Sequence, residues 1–371
     1  MDKSAHKHQK IYAELRDSLA GGQYKPGDQL PTEAELVARF EASRPTISRA
    51  LARLESERLI VRRAGAGTFV CDPEKRDGGL VFGLLIPDLG STEIFEPICQ
   101  GMARARLGTS HELVWGMTED PGAPKEAQAE QLCHSYVKRG VSGVFFAPLE
   151  LTDDSRKVNQ RIARKLDEAG IPIVLLDRDI YEYPQRSRYD LVGIDNRRAG
   201  FAITEHILSA GCRRIVFFAR PKSAPTVMMR AEGYRSALRA NADAGLGEFV
   251  EFGDPSDTAN VLRLISDLNP DAFICANDYT AAVLMNTLHS IQPGVSPEIR
   301  VAAFDDVKYA RLLQVPLTTI RQPCLEMGAA AMLAMVDRIA HPTSPARDFL
   351  VDFELVVRES SSPSQTRTAT R

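Results

Sequence analysis

The chain of 371 residues contains no apolar run approaching the roughly eighteen residues that a membrane-spanning helix requires. Its start, MDKSAHKHQK, lacks the apolar core of a signal peptide, so cytoplasmic residence without a membrane partner is expected. Cysteine chemistry is equally thin. Six cysteines (Cys71, Cys99, Cys133, Cys212, Cys275 and Cys324) form no CxxC pair and have no nearby histidine at ligand spacing, which argues against a zinc motif and leaves reduced thiols. Between positions 80 and 360 there is no phosphate loop, no HExxH and no GxSxG. Neither enzymatic activity nor a cofactor or metal is therefore expected. A large excess of one charge is missing too, the net being −3, but the balance is uneven along the chain. Residues 1–70 carry 12 Lys and Arg against 9 Asp and Glu, whereas the rest carries 34 against 40. A basic end joined to an acidic bulk suits a protein that meets a polyanion at one end.

What is present is an ordinary globular composition, 44% apolar and 26% charged, in a chain too long for one domain. Between Gln9 and Gly21, Ile11, Tyr12, Leu15 and Leu19 recur at helical spacing until Gly21-Gly22 stops the helix. After the turn Lys25-Pro26-Gly27-Asp28, Thr32 stands three residues before Glu35 as a capping box, starting a helix over Glu33–Phe40. Ser43 is a good N-cap for a third helix, whose core stripe is Ile47, Ala50, Leu51 and Leu54. Arg49 and Arg53 fall almost opposite that stripe, and Arg44, Thr46 and Ser48 sit near the N-terminal end, the part of a recognition helix that enters a major groove. Leu59-Ile60-Val61 reads as a strand, Arg62 to Gly67 as a hairpin tip and Thr68-Phe69-Val70 as the returning strand. Three helices followed by a basic hairpin make a winged helix-turn-helix, with Arg62 and Arg63 available to phosphate or the minor groove. The AGAG stretch at 64–67 also invites a nucleotide-loop reading, but a strand rather than a helix follows it.

The string Tyr24-Lys25-Pro26-Gly27-Asp28-Gln29-Leu30-Pro31-Thr32-Glu33, with Phe40, Ser43-Arg44, Thr46, Ala50-Leu51 and Gly65-Ala66-Gly67-Thr68-Phe69-Val70, closely resembles the gluconate-repressor (GntR) winged-helix domain. The resemblance implies operator contacts from Arg44, Thr46 and the wing glycines Gly65 and Gly67. Thr32, Glu33, Ser43, Ser48, Arg49, Arg53, Arg62 and Arg63 complete the candidate DNA-binding set.

From Leu80 onward, buried apolar runs alternate with amphipathic helices, the pattern of an α/β fold with parallel sheets covered on both faces. Strands are expected at Val81–Ile86, Glu112–Trp115, Gly143–Ala147 and Ile173–Leu176, with helices near Ile94–Leu107, Glu126–Lys138 and Arg156–Ala169. A second βα series begins at Leu191–Ile194, so two similar lobes are expected. Polar residues cluster at strand ends: Asp88, Asp177-Arg178-Asp179, Asp195-Asn196, Asn277-Asp278 and Asp305-Asp306. In open α/β sheets those ends face the binding crevice, although Asp195, Asn196 and Asp278 are equally readable as helix caps.

Gly83-Leu84-Leu85-Ile86-Pro87, Gly193-Ile194-Asp195-Asn196, Ala276-Asn277-Asp278, Phe304-Asp305-Asp306 and Leu317-Thr318-Thr319-Ile320-Arg321-Gln322-Pro323 resemble the sensor domain of the lactose- and galactose-repressor (LacI) family, which is periplasmic-binding-protein-like. That resemblance implies ligand contacts at Asp177, Arg230, Asn277 and Asp305, with Ile94 and Phe95 lining the pocket, and carboxylates, amide and guanidinium suit a polyhydroxylated ligand. A GntR-type head on a LacI-type domain is the architecture of arabinose repressors. The expectation is a DNA-binding domain at 1–71, a linker at 72–79, a ligand-sensing domain at 80–360 and a disordered tail at 361–371. Lobe one would take about 80–189 plus 320–341, and lobe two about 190–318 plus 348–360. The partners are then a double-stranded DNA operator, a small carbohydrate effector and a second copy in a homodimer. The rivals are a GntR-headed pyridoxal-phosphate enzyme-like regulator and a DNA-binding protein whose sensor domain is blind to ligand.

Overall fold

The computed structural model describes residues 3–25, 27–56, 59–63, 67–70, 79–87, 93–105, 111–116, 122–241, 247–291 and 299–362. Two compact units emerge, Met1–Leu80 with Thr109–Glu112, and the remainder.

In the first unit, helix α1 (Lys3–Ala20) begins earlier than the expected Gln9. Helix α2 (Glu33–Phe40) has the expected bounds, fixed by a reciprocal cap: Glu35 N donates to Thr32 Oγ1 at 3.3 Å and Thr32 N to Glu35 Oε2 at 2.7 Å. Helix α3 (Arg44–Ser56) buries Ile47, Ala50, Leu51 and Leu54 against Ile11, Leu15 and Leu36, the four stripe positions read from spacing. Strands β1 (Ile60–Arg63) and β2 (Gly67–Val70) pair antiparallel, with Arg63 opposite Gly67. Arg62 and Arg63 thus belong to the strand and not to the hairpin tip, because the ladder continues two residues further than apolar character alone suggests. A third short segment joins the wing: Leu30 N donates to Thr68 O at 2.8 Å and Val70 N to Asp28 O at 2.9 Å.

The second unit contains two six-stranded sheets. The first has the order β4-β3-β5-β6-β7-β13, from β3 (Leu80–Leu85), β4 (His111–Val114), β5 (Gly143–Phe146), β6 (Ile173–Leu176), β7 (Asp190–Gly193) and β13 (Asp348–Leu350). The second has the order β9-β8-β10-β11-β12-β14, from β8 (Ile215–Ala219), β9 (Phe249–Phe252), β10 (Ala272–Cys275), β11 (Arg300–Asp305), β12 (Thr318–Arg321) and β14 (Glu354–Val356). Every residue of β5, β6, β8 and β10 is buried, as parallel strands covered on both faces require. Each such Val, Leu, Ile or Phe contributes about 1.5–3 kcal/mol. The covering helices are α4 (Phe95–Arg104), α5 (Lys125–Arg139), α6 (Ser155–Glu168) and α11 (Cys324–Ala340) on the first sheet, with α7 (Asn196–Ser209), α8 (Pro225–Ala240), α9 (Thr258–Leu268) and α10 (Asp278–Ile291) on the second.

The lobe boundaries differ from expectation. Strand β7 pairs with β6 and β13 pairs with β7, so both belong to the first lobe; β12 pairs with β11, in the second. The chain therefore crosses near Ile194-Asp195, at Gln322-Pro323 and between β13 and β14, instead of near Tyr189-Asp190, Thr319-Ile320 and Pro342–Arg347. A short apolar strand carries no mark of which sheet it will join, and that is decided by long-range pairing. Helix α4 also ends at Arg104, short of the expected Leu107. The supposed disordered tail starts too early: Ser361 ends a 3-10 turn (Glu359–Ser361), is 1% exposed, and its Oγ lies 2.8 Å from His206 Nε2 and 2.6 Å from Thr318 Oγ1. Positions 363–371, most of the linker at 72–78, and Asp88 lie outside the described residues.

Each lobe holds a helix pair at backbone contact. A Cβ at Gly101 of α4 would overlap the carbonyl oxygen of Leu325, and one at Gly328 of α11 that of Ile98. In the second lobe, Gly200 of α7 lies against the carbonyl of Arg230 and Gly233 of α8 against that of Arg197.

Candidate functional site

A cavity of about 280 Å³ lies between the two lobes at the carboxyl ends of their strands. Ile94, Phe95, Asp177, Arg230, Asn277 and Asp305, the six residues set out from sequence, all line it. Asp177 directly follows β6 and Asp305 ends β11, and both have positive φ, +67° and +115°. Left-handed backbone at a non-glycine residue costs of order 1–3 kcal/mol and clusters at ligand sites.

Arg230 in α8 is 4% exposed. Its Nε donates to Asn196 Oδ1 at 2.8 Å, Nη1 donates to the Ala276 carbonyl at 2.6 Å, Nη2 stands 3.6 Å from Asp305 Oδ1, and the guanidinium covers the Phe304 ring at 4.6 Å. Asp305 also accepts from Gln322 Nε2 at 2.7 Å. Burial pushes its carboxyl up to about 6, against the pull of Arg230 and Gln322 and with further help from Asp177 and Glu150. Across the cavity, Arg178 gives Nε to the Pro148 carbonyl at 2.7 Å and Nη1 to Asp177 Oδ2 at 2.9 Å and Glu150 Oε1 at 3.1 Å. Asp177 Oδ1 is buried without any hydrogen-bond partner. An unpaired buried acceptor costs about 1–3 kcal/mol and is relieved by any hydroxyl that reaches it. Asn277 commits its Oδ1 to Thr280 N at 2.9 Å, capping α10, which leaves the amide N–H groups for a ligand.

Asp195 accepts from Arg198 N as the cap of α7, and Asn196 holds Arg230. Asp278 is fully buried, accepting from Thr319 Oγ1 at 2.6 Å and Val307 N at 2.9 Å. Burial and the neighbouring Asp305 raise its carboxyl well above the usual range. These three support the wall and do not line it.

In the winged helix, Arg44, Arg49 and Arg53 are exposed on α3, with Arg53 stacked 4.0 Å from the centroid of the Tyr12 ring. Ser43 is exposed and its Oγ lies 2.8 Å from Thr46 Oγ1; Thr46 is only 8% exposed, and Ser48 is half-buried. Thr32 is exposed but bound to Glu35, while Glu33 is half-buried. Gly67 has φ +113° and faces the Gln29 side chain too closely for a Cβ. Arg62 and Arg63 lie in β1, and Gly65 falls outside the described residues.

Residues 7–70 match the bacterial regulatory proteins of the gntR family, and residues 204–361 match the periplasmic binding protein-like domain. The chain joins a gntR-type head to a periplasmic-binding-protein-like domain. It is similar over its length to the arabinose metabolism transcriptional repressor of Geobacillus stearothermophilus, at 26% identity, covering 97% of this chain and 99% of that one. Among solved structures, the transcriptional regulator CelR in complex with cellobiose superposes with a TM-score of 0.61 at 25% identity, over 85% of this chain and 90% of CelR. The transcription regulator GntR from Chromobacterium violaceum does so with 0.55 at 27% identity, over 76% of this chain and 99% of that one.

Within the periplasmic-binding-protein-like domain, the sequence placed Arg178 in a strand-end cluster but not among the ligand contacts, and did not point to Glu150, Arg220 and Tyr309 at all, although all four line the cavity. A usable signal existed for Arg178, Glu150 and Arg220, which follow the carboxyl ends of β6, β5 and β8. In the gntR-type head, Arg44 is exposed at the first position of α3. Arg44→Ala is expected to weaken binding to an enriched operator duplex by about 1–3 kcal/mol and to relax specificity there. Fluorescence anisotropy checks this, and wild-type affinity in the variant would discard the assignment.

Proposed function

We propose that this protein is a cytoplasmic, homodimeric transcription repressor and not an enzyme, whose affinity for a DNA operator is lowered by a sugar bound between the lobes. The observation that carries this is the convergence of Asp177, Arg230, Asn277 and Asp305, from four separate strand ends and helices, on one cavity that retains a partnerless carboxylate oxygen. Such a set of acceptors with amide and guanidinium donors matches adjacent hydroxyls. One relative is named an arabinose metabolism transcriptional repressor and another was solved with cellobiose, which supports a carbohydrate. The candidate DNA contacts are the exposed arginines of α3 together with Arg62 and Arg63 of β1, and a two-fold dimer would place two heads on half-sites one helical turn or a multiple apart.

Ligand shifts operator affinity only by its differential affinity for the open and closed lobe arrangements, a coupling of about 1–3 kcal/mol, or roughly 5–150-fold. The test is a thermal-shift screen against pentoses, hexoses, sugar acids and nucleosides, followed by operator titration with each hit. A stabilising sugar that weakens operator binding is the expected result. One that tightens it makes the protein a corepressed regulator, and no shift across the panel removes the sugar reading. Asn277→Ala is expected to weaken the hit by about tenfold or more without changing operator binding in its absence, by loss of a charge-assisted or neutral hydrogen bond in a desolvated site. A full response in that variant removes Asn277 from the site.

A further inference from the structure

We propose, building on the sugar reading, that the effector is a sugar derivative carrying an anionic group, a carboxylate or a phosphate, and that Arg220 is the residue that reads it. Two of the three arginines on the cavity wall already have partners. Arg178 is divided among Asp177, Glu150 and the Pro148 carbonyl, and Arg230 among Asn196, the Ala276 carbonyl and Asp305. They hold carboxylates in place as hydroxyl acceptors and have little fork left to offer.

Arg220 differs. It follows the last residue of β8, lines the same cavity, and lies over the Tyr279 ring at 4.9 Å from the centroid. Stacking occupies the face of a guanidinium and leaves its in-plane N–H edge, which is the geometry matched to carboxylate or phosphate oxygens. No acid is hydrogen-bonded to it among the described residues. Asp254, whose carboxylate is within reach of its charge, accepts from Ser256 N at 2.8 Å and Ser256 Oγ at 2.6 Å through one oxygen. Glu93, the remaining acid on the wall, is set against Tyr309 and Lys308.

The cavity is therefore divided by chemistry. Around Arg178 and Arg230 it offers carboxylate and amide groups for hydroxyls, and at the β8–α10 side it offers the guanidinium of Arg220, to which no acid is hydrogen-bonded among the described residues. A neutral sugar gives the N–H edge of Arg220 no anionic oxygen to hold, whereas an anionic derivative supplies one. Sites built for a polar group reject the analogue lacking it for this reason.

The experiment is calorimetric titration of the full chain with matched probes: D-glucose against D-gluconate, D-glucuronate and D-glucose 6-phosphate, and L-arabinose against L-arabinonate. At least one acid is expected to bind ten times or more tighter than its neutral parent, and the carboxylate and phosphate arms separate the two sources of charge. Arg220→Gln is expected to erase that preference, so that within the variant the acid binds no more tightly than its neutral parent. Neutral parents that bind as tightly as their acids overturn the proposal and leave the sugar reading standing. An acid preference that survives Arg220→Gln removes the assignment to Arg220. Silence from every probe defeats this proposal together with the reading on which it rests.

Discussion

Asp190→Ala is expected to destabilise the periplasmic-binding-protein-like unit by about 3–5 kcal/mol, because it strips the partner from buried charges. Asp190 is fully buried at the start of β7, where α11 and β13 meet it. Its Oδ1 accepts from Arg338 Nη2 and Arg347 N, both at 2.8 Å, and its Oδ2 from Arg338 Nε at 3.0 Å. Without the carboxylate, the Arg338 guanidinium at 11% exposure loses its counter-ion. Denaturant unfolding monitored on the separate units should show the loss in the large unit alone, since distant effects add independently. Equal losses in both units, or none, would contradict the account.

The same carboxylate sets a pH dependence. Burial works against its ionisation, but Arg338 and Arg347 outweigh burial and hold it below the usual range. A depressed folded value means the contribution is present above the unfolded value of about 4 and disappears as pH falls through the folded one. Wild type should therefore lose stability more steeply below about pH 4 than Asp190→Asn, which has no such titration. Parallel acid limbs would sink that attribution.

Arg230→Ala is expected to weaken the effector by about a hundredfold or more, in line with truncating one partner of a buried charge pair. Three acceptors lose their donor together: Asn196, the Ala276 carbonyl and Asp305. Arg230→Lys should not restore binding, because a point charge cannot replace a fork that reaches three directions while lying over Phe304. With Arg230 gone, Asp305 loses the cation that opposes the effect of its burial, and the pair is already broken. Adding Asp305→Asn should then cost little more. Sugar titrations of the single and double variants decide this, and binding within a few-fold of wild type in Arg230→Ala would refute the assigned role.

The fold was legible where local chemistry dictates it. Thr32 and Glu35 mark the start of α2, and the runs at Gly143–Phe146 and Ile173–Leu176 mark buried parallel strands. The six proposed wall residues were legible through the resemblance and through their place at strand ends. What stayed hidden was set by distant partners. β7 and β12 are short apolar strands whose sheet is chosen by pairing with β6 and β11, so the lobe boundaries moved. The turn Lys25-Pro26-Gly27-Asp28 gives no sign that Asp28 and Leu30 hydrogen-bond to β2, and Thr46, a candidate DNA contact, is largely buried with its hydroxyl 2.8 Å from that of Ser43. Glu150 escaped notice because nothing nearby in sequence shows that it caps Ala224 N in the other lobe at 2.9 Å.

The glycine contacts of α4 with α11 and of α7 with α8 have a practical corollary for anyone retuning the molecule as a biosensor. Since backbone meets backbone there, each couple has no room for even one added methyl, and α4 and α8 hold wall residues Phe95 and Arg230. Mutagenesis libraries aimed at new chemical preferences should leave Gly101, Gly200, Gly233 and Gly328 untouched and draw their diversity from side chains at the cavity rim. Altered recognition can then be screened without scrambling the mechanical linkage between recognition and response.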